Sequence, residues 1–340
     1  MSWLQIVWFV LFVAIIGGYV VLDGFDLGVG MLLPFVARGD TERRILLNSI
    51  GPVWDGNEVW LVLGGGALFA AFPLVYASLF SGFYIAMMLV LLVLILRTVA
   101  IEFRSKRPSQ RWRSTWDWTF AGASFGISLL LGVALGNVVR GLALGANGVM
   151  DVSLPDLLNP YGLLFGAVAV AMLLLHGSLF LVLKTEGDLG ARVTALVPRL
   201  ILVFFVVMTV LIGWTLMLDD QFAHNFRERA WIAVFPAIAL GALVVAWRST
   251  RAGRSLQAFF ASAVMIASLM AAVAAGMYPV LLRSTIDSAY DLTIQNASSA
   301  DPTLTVMFVV AIIGMPFVVL YTAGVYWFFR GKVELHDESY

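Results

Sequence analysis

The 340-residue sequence contains no cysteine and only three histidines, and charged residues are scarce. Without cysteine there is no disulfide, iron–sulfur cluster or thiolate zinc site. Charged residues make up 12% of the chain, about half the share of soluble domains, whereas 61% are hydrophobic. Basic and acidic residues both number 21, so no basic excess is present to bind phosphates. These deficits exclude a soluble enzyme, a disordered chain and a nucleic-acid-binding protein, and they indicate a polytopic helical membrane protein.

Long apolar runs fill most of the sequence. A membrane-spanning helix needs about 20 apolar residues, and about nine such runs lie near 5–36, 46–71, 75–97, 116–138, 160–183, 199–218, 230–247, 256–282 and 303–329. The second and third are separated only by Phe72-Pro73, which predicts a tight turn. The first run follows no basic n-region or cleavage site, so we expect a retained helix. The longest polar loop, of about 20 residues, is too short to fold alone, which argues against an extramembrane catalytic domain.

The charges of the loops predict an orientation. Basic residues collect in the odd-numbered loops and the C-terminal tail, namely Arg38, Arg43, Arg44, Arg104, Lys106, Arg107, Arg111, Arg113, Lys184, Arg192, Arg248, Arg251, Arg254, Arg330 and Lys332. Acidic residues are more prominent in the even-numbered loops, with Asp151, Asp156, Asp219, Asp220, Glu228, Asp287, Asp291 and Asp301. Because basic loops stay in the cytoplasm, this alternation predicts an external N-terminus and a cytoplasmic C-terminus.

Acidic residues also occur inside two predicted spans, where ionisable groups are costly and usually functional. Asp23 and Asp26 lie three residues apart in the first span, and Asp55 and Glu58 lie three apart in the second. Such pairs share one helix face. Asp26 precedes the basic loop by about 12 residues, roughly 18 Å along a helix, and Asp55 follows it at a similar distance. We therefore expect three or four carboxyls to meet near mid-membrane.

Three interpretations of these carboxyls remain open. Carboxyls crowded in a low dielectric cannot all ionise, so they could form a proton relay that opens to the cytoplasm. They could also hold helices together as hydrogen-bonding groups, or bind a cation in a transporter. Arg97 and Glu102 lie at the inner end of the third span. Arg97 extends to the lipid headgroups, or it pairs with one of the carboxyls or controls proton entry.

The histidines restrict haem binding by this chain. Axial haem ligands are commonly His or Met within spans, and of the three histidines only His176 lies clearly in a predicted span. His224 falls in an outer loop and His336 in the tail. A haem with two histidine ligands inside the membrane is therefore excluded, while His–Met ligation stays formally possible. We expect His176 to be a packed or hydrogen-bonded side chain.

Several motifs in order along nearly the whole chain resemble subunit II of the cytochrome bd-type quinol oxidases. The two most specific are Leu22-Asp-Gly-Phe-Asp-Leu-Gly-Val-Gly30 and Trp54-Asp-Gly-Asn-Glu-Val-Trp60. Further matches are Asp40-Thr-Glu-Arg-Arg44, Gly65-Gly-Ala-Leu-Phe-Ala-Ala-Phe-Pro73, Phe80-Ser-Gly-Phe-Tyr84, Trp116-Asp-Trp118, Gly136-Asn137, Lys184-Thr-Glu-Gly187, Leu292-Thr-Ile-Gln-Asn-Ala297, Tyr321 and Tyr326. The stretch Leu181-Val-Leu-Lys-Thr-Glu-Gly187 favours the cyanide-insensitive branch.

The resemblance implies a subunit of a bacterial terminal oxidase in the cytoplasmic membrane, which oxidises quinol and reduces oxygen to water. In that family haems b558, b595 and d belong to subunit I, so this chain is expected to bind no haem or metal. Possible further ligands are a structural quinone or lipid, and possible further partners are small single-helix subunits. The implied fold is all-α, with two four-helix bundles and one peripheral helix. We assign the first bundle to about 1–138 and the second bundle with the peripheral helix to about 159–330, within one membrane domain of residues 1–340.

The resemblance also implies site residues. The family's acidic residues in the first two spans are implicated in a proton route, which transfers to Asp23, Asp26 and Asp55. Arg97 matches the family's arginine, and Glu102 stands where some relatives have Asp. The proton-route residues expected in this chain are Asp23, Asp26, Asp55, Glu58, Arg97 and Glu102. Two positions depart from some relatives: Val53 replaces a histidine, and Glu58 replaces a glutamine and adds a protonatable group.

Two other classes of function compete with an oxidase subunit. A secondary transporter with a carboxylate ion site would show repeated halves with matching broken helices. The over-long first span has no counterpart in the second half of the sequence, which weighs against this class. A non-catalytic assembly subunit would use its buried acids only to pack helices.

Overall fold

The computed structural model describes residues 2–218 and 221–335, in which thirteen α-helices and one short β-hairpin occur. Asp219, Asp220 and His336 lie outside the described residues. The helices are α1 Trp3–Val36, α2 Asp40–Ile50, α3 Trp54–Ala71, α4 Pro73–Gly82, α5 Tyr84–Phe103, α6 Gln110–Arg140, α7 Leu154–Leu157, α8 Pro160–Lys184, α9 Gly187–Met217, α10 Gln221–Glu228, α11 Val234–Arg251, α12 Ser255–Met277 and α13 Asp301–Phe328. The hairpin pairs β1 Val280–Leu282 with β2 Leu292–Thr293.

The all-α membrane fold class is confirmed, and eight helices of the described chain are long and apolar enough to span a membrane. They are α1, α5, α6, α8, α9, α11, α12 and α13. The predicted second span is divided, because α2 ends at Ile50 and α3 begins at Trp54 beyond Gly51-Pro52. The first turn of α3 carries Asp55, and α3 is not one of the eight. The count of nine spans therefore stays a prediction, as does the orientation of the termini.

Proline marks two other helix boundaries. Helix α3 ends before Phe72, and Pro73 occupies the first turn of α4, where its missing N–H costs nothing. The predicted turn is confirmed, although α4 is short and a further break at Phe83 separates it from α5. The predicted span 256–282 is too long. Helix α12 ends at Met277 because Pro279 cannot continue the hydrogen-bond ladder, and the chain then enters β1.

Helix α1 lies at the centre of the helix arrangement and contacts α3, α6, α8 and α12. Along α3 it is antiparallel, since Asp26 meets Asn57 whereas Ile16 lies against Gly64. On its opposite side α1 approaches α8 at Gly28, where an added Cβ would lie 2.1 Å from the carbonyl oxygen of Leu173. Only glycine permits this separation, which leaves the other face of α1 to carry carboxyl side chains toward α3 and α5.

Helix α13 differs from the others in its burial. Of its 28 residues only Leu304 is buried, although the helix contacts α1 and α3. A peripheral position is therefore evident for the last helix. The buried core extends along α1, α6, α8 and α12 instead, and it includes Leu27, Ile127, Leu175 and Ile266.

Candidate functional site

Two carboxyls from α1 and α3 face a single arginine from α5. Arg97 donates to both carboxylate oxygens of Asp23, with distances of 2.8 Å from Nη1 and 2.5 Å from Nη2. Both side chains are completely buried. Glu58 Oε2 lies 3.5 Å from Arg97 Nη1, and the Glu58 side chain retains 22% exposure. The interpretation that Arg97 extends to the headgroups is wrong; its alternative, pairing with a carboxyl, is confirmed.

Asp26 takes part in a second set of contacts on the same face of α1. Asn57 Nδ2 of α3 donates to Asp26 Oδ2 at 2.7 Å, and Tyr326 of α13 donates its hydroxyl to Asn57 Oδ1 at 2.9 Å. Asp26 is fully buried and Asn57 is 2% exposed. Three helices that are distant in sequence therefore meet at one hydrogen-bonded chain, Tyr326–Asn57–Asp26.

We call Asp23, Asp26, Glu58 and Arg97 the carboxyl cluster. Within the described residues, Asp26 Oδ1, Glu58 Oε2 and Arg97 Nε are buried and have no hydrogen-bond partner. One guanidinium faces three carboxyls, and in a low dielectric three carboxylates beside one positive charge are not balanced. The arrangement has the chemistry to hold exchangeable protons on carboxyl oxygens.

A second set of charges lies at the predicted cytoplasmic face, where α2 meets the ends of α5, α6 and α9. Asp117 of α6 accepts from Arg43 at 2.8 Å and from Arg104 at 2.5 Å. Asp40 accepts from Arg104 at 2.8 Å and from Arg113 at 2.6 Å. Glu42 accepts from Arg192 at 2.5 Å. We call these seven side chains the face network, in which four arginines pair with three carboxylates.

Local backbone geometry positions the face network. Gly39 has φ +95°, a conformation that glycine adopts without strain, and it turns the chain from α1 into α2. Asp40 and Glu42 then occupy the first turn of α2, where the helix dipole favours negative charge. Partial burial raises the pKa of Glu42, but the hydrogen bonds from Arg192 and from the Arg38 backbone outweigh it and leave the pKa below its usual value. This carboxylate is therefore held in its ionised form.

Comparison with known proteins identifies the family. The family model described as cytochrome bd terminal oxidase subunit II matches residues 4–329. This chain belongs to that family. The chain is 37% identical over 364 residues to cytochrome bd-I ubiquinol oxidase subunit 2 of Escherichia coli K12, covering 98% of this chain and 96% of the relative. It is 35% identical over 338 residues to cytochrome bd ubiquinol oxidase subunit 2 of Bacillus subtilis, covering 99% of each.

A solved structure agrees with the fold. The bd oxidase of Geobacillus thermodenitrificans contains a chain that matches with a TM-score of 0.80 and 20% identity, covering 96% of this chain and 99% of that one. By family membership the chain is subunit II of an oxidoreductase complex, a quinol-oxidising terminal oxidase of the respiratory chain. Its partner is subunit I, haem and quinol belong to the complex, and the location is the bacterial cytoplasmic membrane.

Two predicted site residues of this subunit II lie away from the buried carboxyls. Asp55 is exposed, on the first turn of α3 and pointing away from the core. Three of the four carboxyls, Asp23, Asp26 and Glu58, meet as expected, and Asp55 is not among them, because the break at 51–53 interrupts the continuous helix that the depth estimate assumed. Glu102 is partly exposed and lies five residues after Arg97, near the end of α5.

His176 of subunit II is a packed and hydrogen-bonded side chain, as predicted. Its Nε2 lies 2.9 Å from the carbonyl oxygen of Val21, which accepts, and its Nδ1 lies 2.7 Å from Ser262 Oγ. The ring stacks on Phe259 at 4.9 Å and is fully buried. In the part of the chain that the structure describes, no group of three or more His, Asp or Glu side chains could hold a metal ion.

The sequence alone did not single out three residues that shape these sites. Asn57 and Asp117 belong to family motifs that give them no role at a site. Tyr326 is a matching tyrosine in the last span, likewise without a role. Asn57 shares a helix turn with Asp55 and Glu58, so spacing gave a signal for it. Nothing in spacing brings Tyr326 to Asp26, since 300 positions separate the two residues and only helix packing joins them.

Proposed function

We propose that this chain scaffolds the haem-bearing subunit I and supplies part of a cytoplasmic proton route through Asp23, Asp26, Asp55, Glu58, Arg97 and Glu102. Protons consumed in oxygen reduction must reach a site inside the membrane, and buried carboxyls are the groups that can carry them there. The chain's own residues hold and move protons, while the redox chemistry belongs to the partner's haems.

The carboxyl cluster is the observation that carries this proposal. Asp23 and Asp26 are fully buried, and Arg97 forms its two-point contact with Asp23 alone. Burial of an uncompensated carboxylate costs several kcal/mol, so at least one carboxyl of the cluster holds a proton. Asp26 Oδ1 and Glu58 Oε2, which have no hydrogen-bond partner among the described residues, are suited to bind and release that proton.

The solvent exposure of three carboxyl side chains suggests where protons enter and leave the route. Glu102 is partly exposed near the predicted cytoplasmic end of α5, and the same helix places Arg97 in the cluster. Glu58 is partly exposed between the buried carboxyls and Asp55, which lies three residues away on α3. Protons would pass from Glu102 toward Asp23 and Asp26, and then through Glu58 to Asp55.

The exposed face of α3 is the surface that we assign to subunit I. Asp55, Val59, Val62 and Phe69 are all exposed and follow one another at helical spacing. A carboxylate that faced lipid at this position would be costly, whereas a protein neighbour can hydrogen-bond it. Gly66 lies on the same face with nothing within 4 Å of an added Cβ, which leaves room for close approach by another helix.

Ligands and domain organisation complete the proposal. Haems b558, b595 and d would all lie in subunit I, and this chain would bind none. An apolar cavity of about 450 Å³, bordered by α1, α6, α8, α9 and α12, fits the tail of a quinone or lipid.

Small single-helix subunits could cover further exposed apolar faces. Residues 1–138 would form the first bundle and residues 159–330 the second with α13, which the low burial of α13 supports.

Asparagine substitution tests the route in the complete oxidase. Asp23→Asn, Asp26→Asn and Asp55→Asn each remove a titratable proton but keep the size and polarity of the side chain. We expect quinol-dependent oxygen uptake per haem to fall about tenfold or more, in line with the contribution of a proton-transferring group. Haem content of each purified complex is the control. Normal turnover in all three variants would rule out the route, and loss of haem would indicate a purely structural role.

A further inference from the structure

Helix α13 reaches the carboxyl cluster through one side chain. Tyr326 is partly buried on a helix whose other polar residues are exposed or partly exposed, and its ring meets that of Phe25 edge to face at 6.3 Å. The hydroxyl donates to Asn57 Oδ1 at 2.9 Å. Tyr326 makes no direct hydrogen bond to a carboxyl in the described chain, so any effect on Asp26 is transmitted by the Asn57 amide.

The Asn57 amide has two orientations with opposite consequences for Asp26. In the observed orientation Nδ2 donates to Asp26 Oδ2 at 2.7 Å, which stabilises an ionised carboxylate. In the reversed orientation Oδ1 would face the carboxyl and could accept only from its protonated form. In the observed orientation the Tyr326 hydroxyl donates to Oδ1. In the reversed orientation the hydroxyl could accept from Nδ2, but its own O–H would then have no acceptor among the described residues, so Tyr326 favours the first orientation.

We propose that Tyr326 is a positioning residue of the proton route, which holds Asn57 so that its N–H favours release of the proton from Asp26. This inference rests on the proposed function of the carboxyl cluster. The charged and titratable groups around Asp26 are Asp23 on α1, Glu58 on α3, Arg97 on α5 and Tyr326 itself on α13. Tyr19 of α1 lies by Asp23. His176 of α8 is bonded elsewhere, to Val21 and Ser262.

Tyr326→Phe in the complete oxidase tests this inference, because it removes the hydroxyl and keeps the ring that packs on Phe25. We expect a loss of about three- to tenfold in turnover per haem, the effect of one buried hydrogen bond. The alkaline midpoint of the turnover–pH profile should move up by as much as about one pH unit, since Asp26 then keeps its proton more readily. The KM for quinol should not change.

Tyr321→Phe is the matched control. Tyr321 lies on the same helix and is 72% exposed, so the loss of its hydroxyl should leave the turnover and the pH profile unchanged. A double-mutant cycle identifies the path of the effect. With Asn57→Leu already present, Tyr326→Phe should cause no further change in the pH midpoint. Infrared difference spectra supply a second readout, in which a protonated-carboxyl band should be lost in Asp26→Asn and shifted in Tyr326→Phe.

Three outcomes would overturn the inference. One is a Tyr326→Phe complex with the normal pH profile and carboxyl band. Another is a Tyr326→Phe complex with reduced haem content, which would make the residue structural. The third is a further shift from Tyr326→Phe when Asn57 is already leucine. Asp26→Asn separates the two proposals: normal turnover in that variant contradicts the proton route itself, whereas a loss there with normal Tyr326→Phe contradicts the positioning role alone.

Discussion

The carboxyl cluster and the face network contain the same residue types in opposite proportions. In the cluster one arginine faces Asp23, Asp26 and Glu58, at positions buried among α1, α3 and α5. In the face network four arginines surround Asp40, Glu42 and Asp117 where α2 meets α5, α6 and α9. An excess of guanidinium groups keeps carboxylates ionised, whereas an excess of carboxyls favours bound protons.

This difference separates the ion pairs that join helix ends from the cluster that we propose to bind protons. Asp117 is 1% exposed and accepts from two arginines, so both of its carboxylate oxygens have charged donors. Asp26 is equally buried, yet one of its oxygens has no hydrogen-bond partner in the described chain. Burial alone therefore does not distinguish a functional carboxyl from a structural one; the number of donors per carboxylate does.

The largest expected effect comes from Arg97→Gln, which removes the only arginine of the carboxyl cluster. Loss of one partner of a buried ion pair typically costs about 3–5 kcal/mol, unless the carboxyl left behind takes up a proton. We expect haem content or stability to fall and turnover per haem to drop at least tenfold, roughly the effect of losing a proton-transferring group. Oxygen uptake and haem content of the purified oxidase measure both parts of the effect.

Two further variants sharpen this test. Arg97→Lys keeps the charge but not the two-point contact with Asp23, so its turnover should lie between those of the glutamine variant and the wild type. The double variant Asp23→Asn with Arg97→Gln should recover haem content without recovering turnover. Full turnover in Arg97→Gln would show that the cluster does not need its cation.

Asp117→Asn should have the next largest effect, and on stability instead of turnover. The substitution leaves Arg43 and Arg104 without their shared carboxylate, a loss of about 3 kcal/mol for a largely buried pair. We expect a lower thermal midpoint of the purified complex with unchanged oxygen uptake per haem. Reduced turnover at normal stability would contradict the separation between the face network and the carboxyl cluster.

Much of the cluster could be predicted from the sequence, because spacing within one helix fixes which side chains share a face. Asp23 and Asp26 follow this rule, and the short connection between the first two spans predicted that α3 would lie beside α1. The position of Asp55 could not be predicted, since the break between α2 and α3 changes the direction in which its side chain points. The ion pair of Arg97 with Asp23 depends on how α1 and α5 are placed by their packing against α6, which periodicity does not encode.

The face network exposes another limit of sequence reasoning. As counts, the loop charges predict only that a set of basic loops lies on one side of the membrane. Charge counts do not predict which acidic residues pair with these arginines. The pairs form between the loops and the start of α6, and they depend on the direction of each helix end. Asp117 illustrates this, since it lies inside an apolar predicted span and yet belongs to the face network.

Glu58→Gln tests how strongly the balance of charges in the carboxyl cluster matters. The change removes one of three carboxyls and leaves Asp23 and Asp26 with Arg97. Because Glu58 retains 22% side-chain exposure, solvent can partly replace its function. We expect a loss of about two- to threefold in turnover per haem, smaller than that of a buried hydrogen-bonded group. A loss as large as that of Asp26→Asn would place the main proton-binding carboxyl on α3 instead of α1.

The smallest effect is expected at Glu42, whose pKa in the folded chain lies below its usual value through Arg192 and the Arg38 backbone, against the opposing effect of burial. A lowered pKa stabilises the fold above the unfolded value of about 4.3, and this contribution is lost as the pH falls through the folded pKa. Glu42 and Arg192 are each about one-fifth exposed, so we expect less than about 1 kcal/mol. Thermal midpoints of the wild type and Glu42→Gln should differ at neutral pH and converge in acid. A constant difference across that range would mean that packing, and not the charge of Glu42, links α2 to α9.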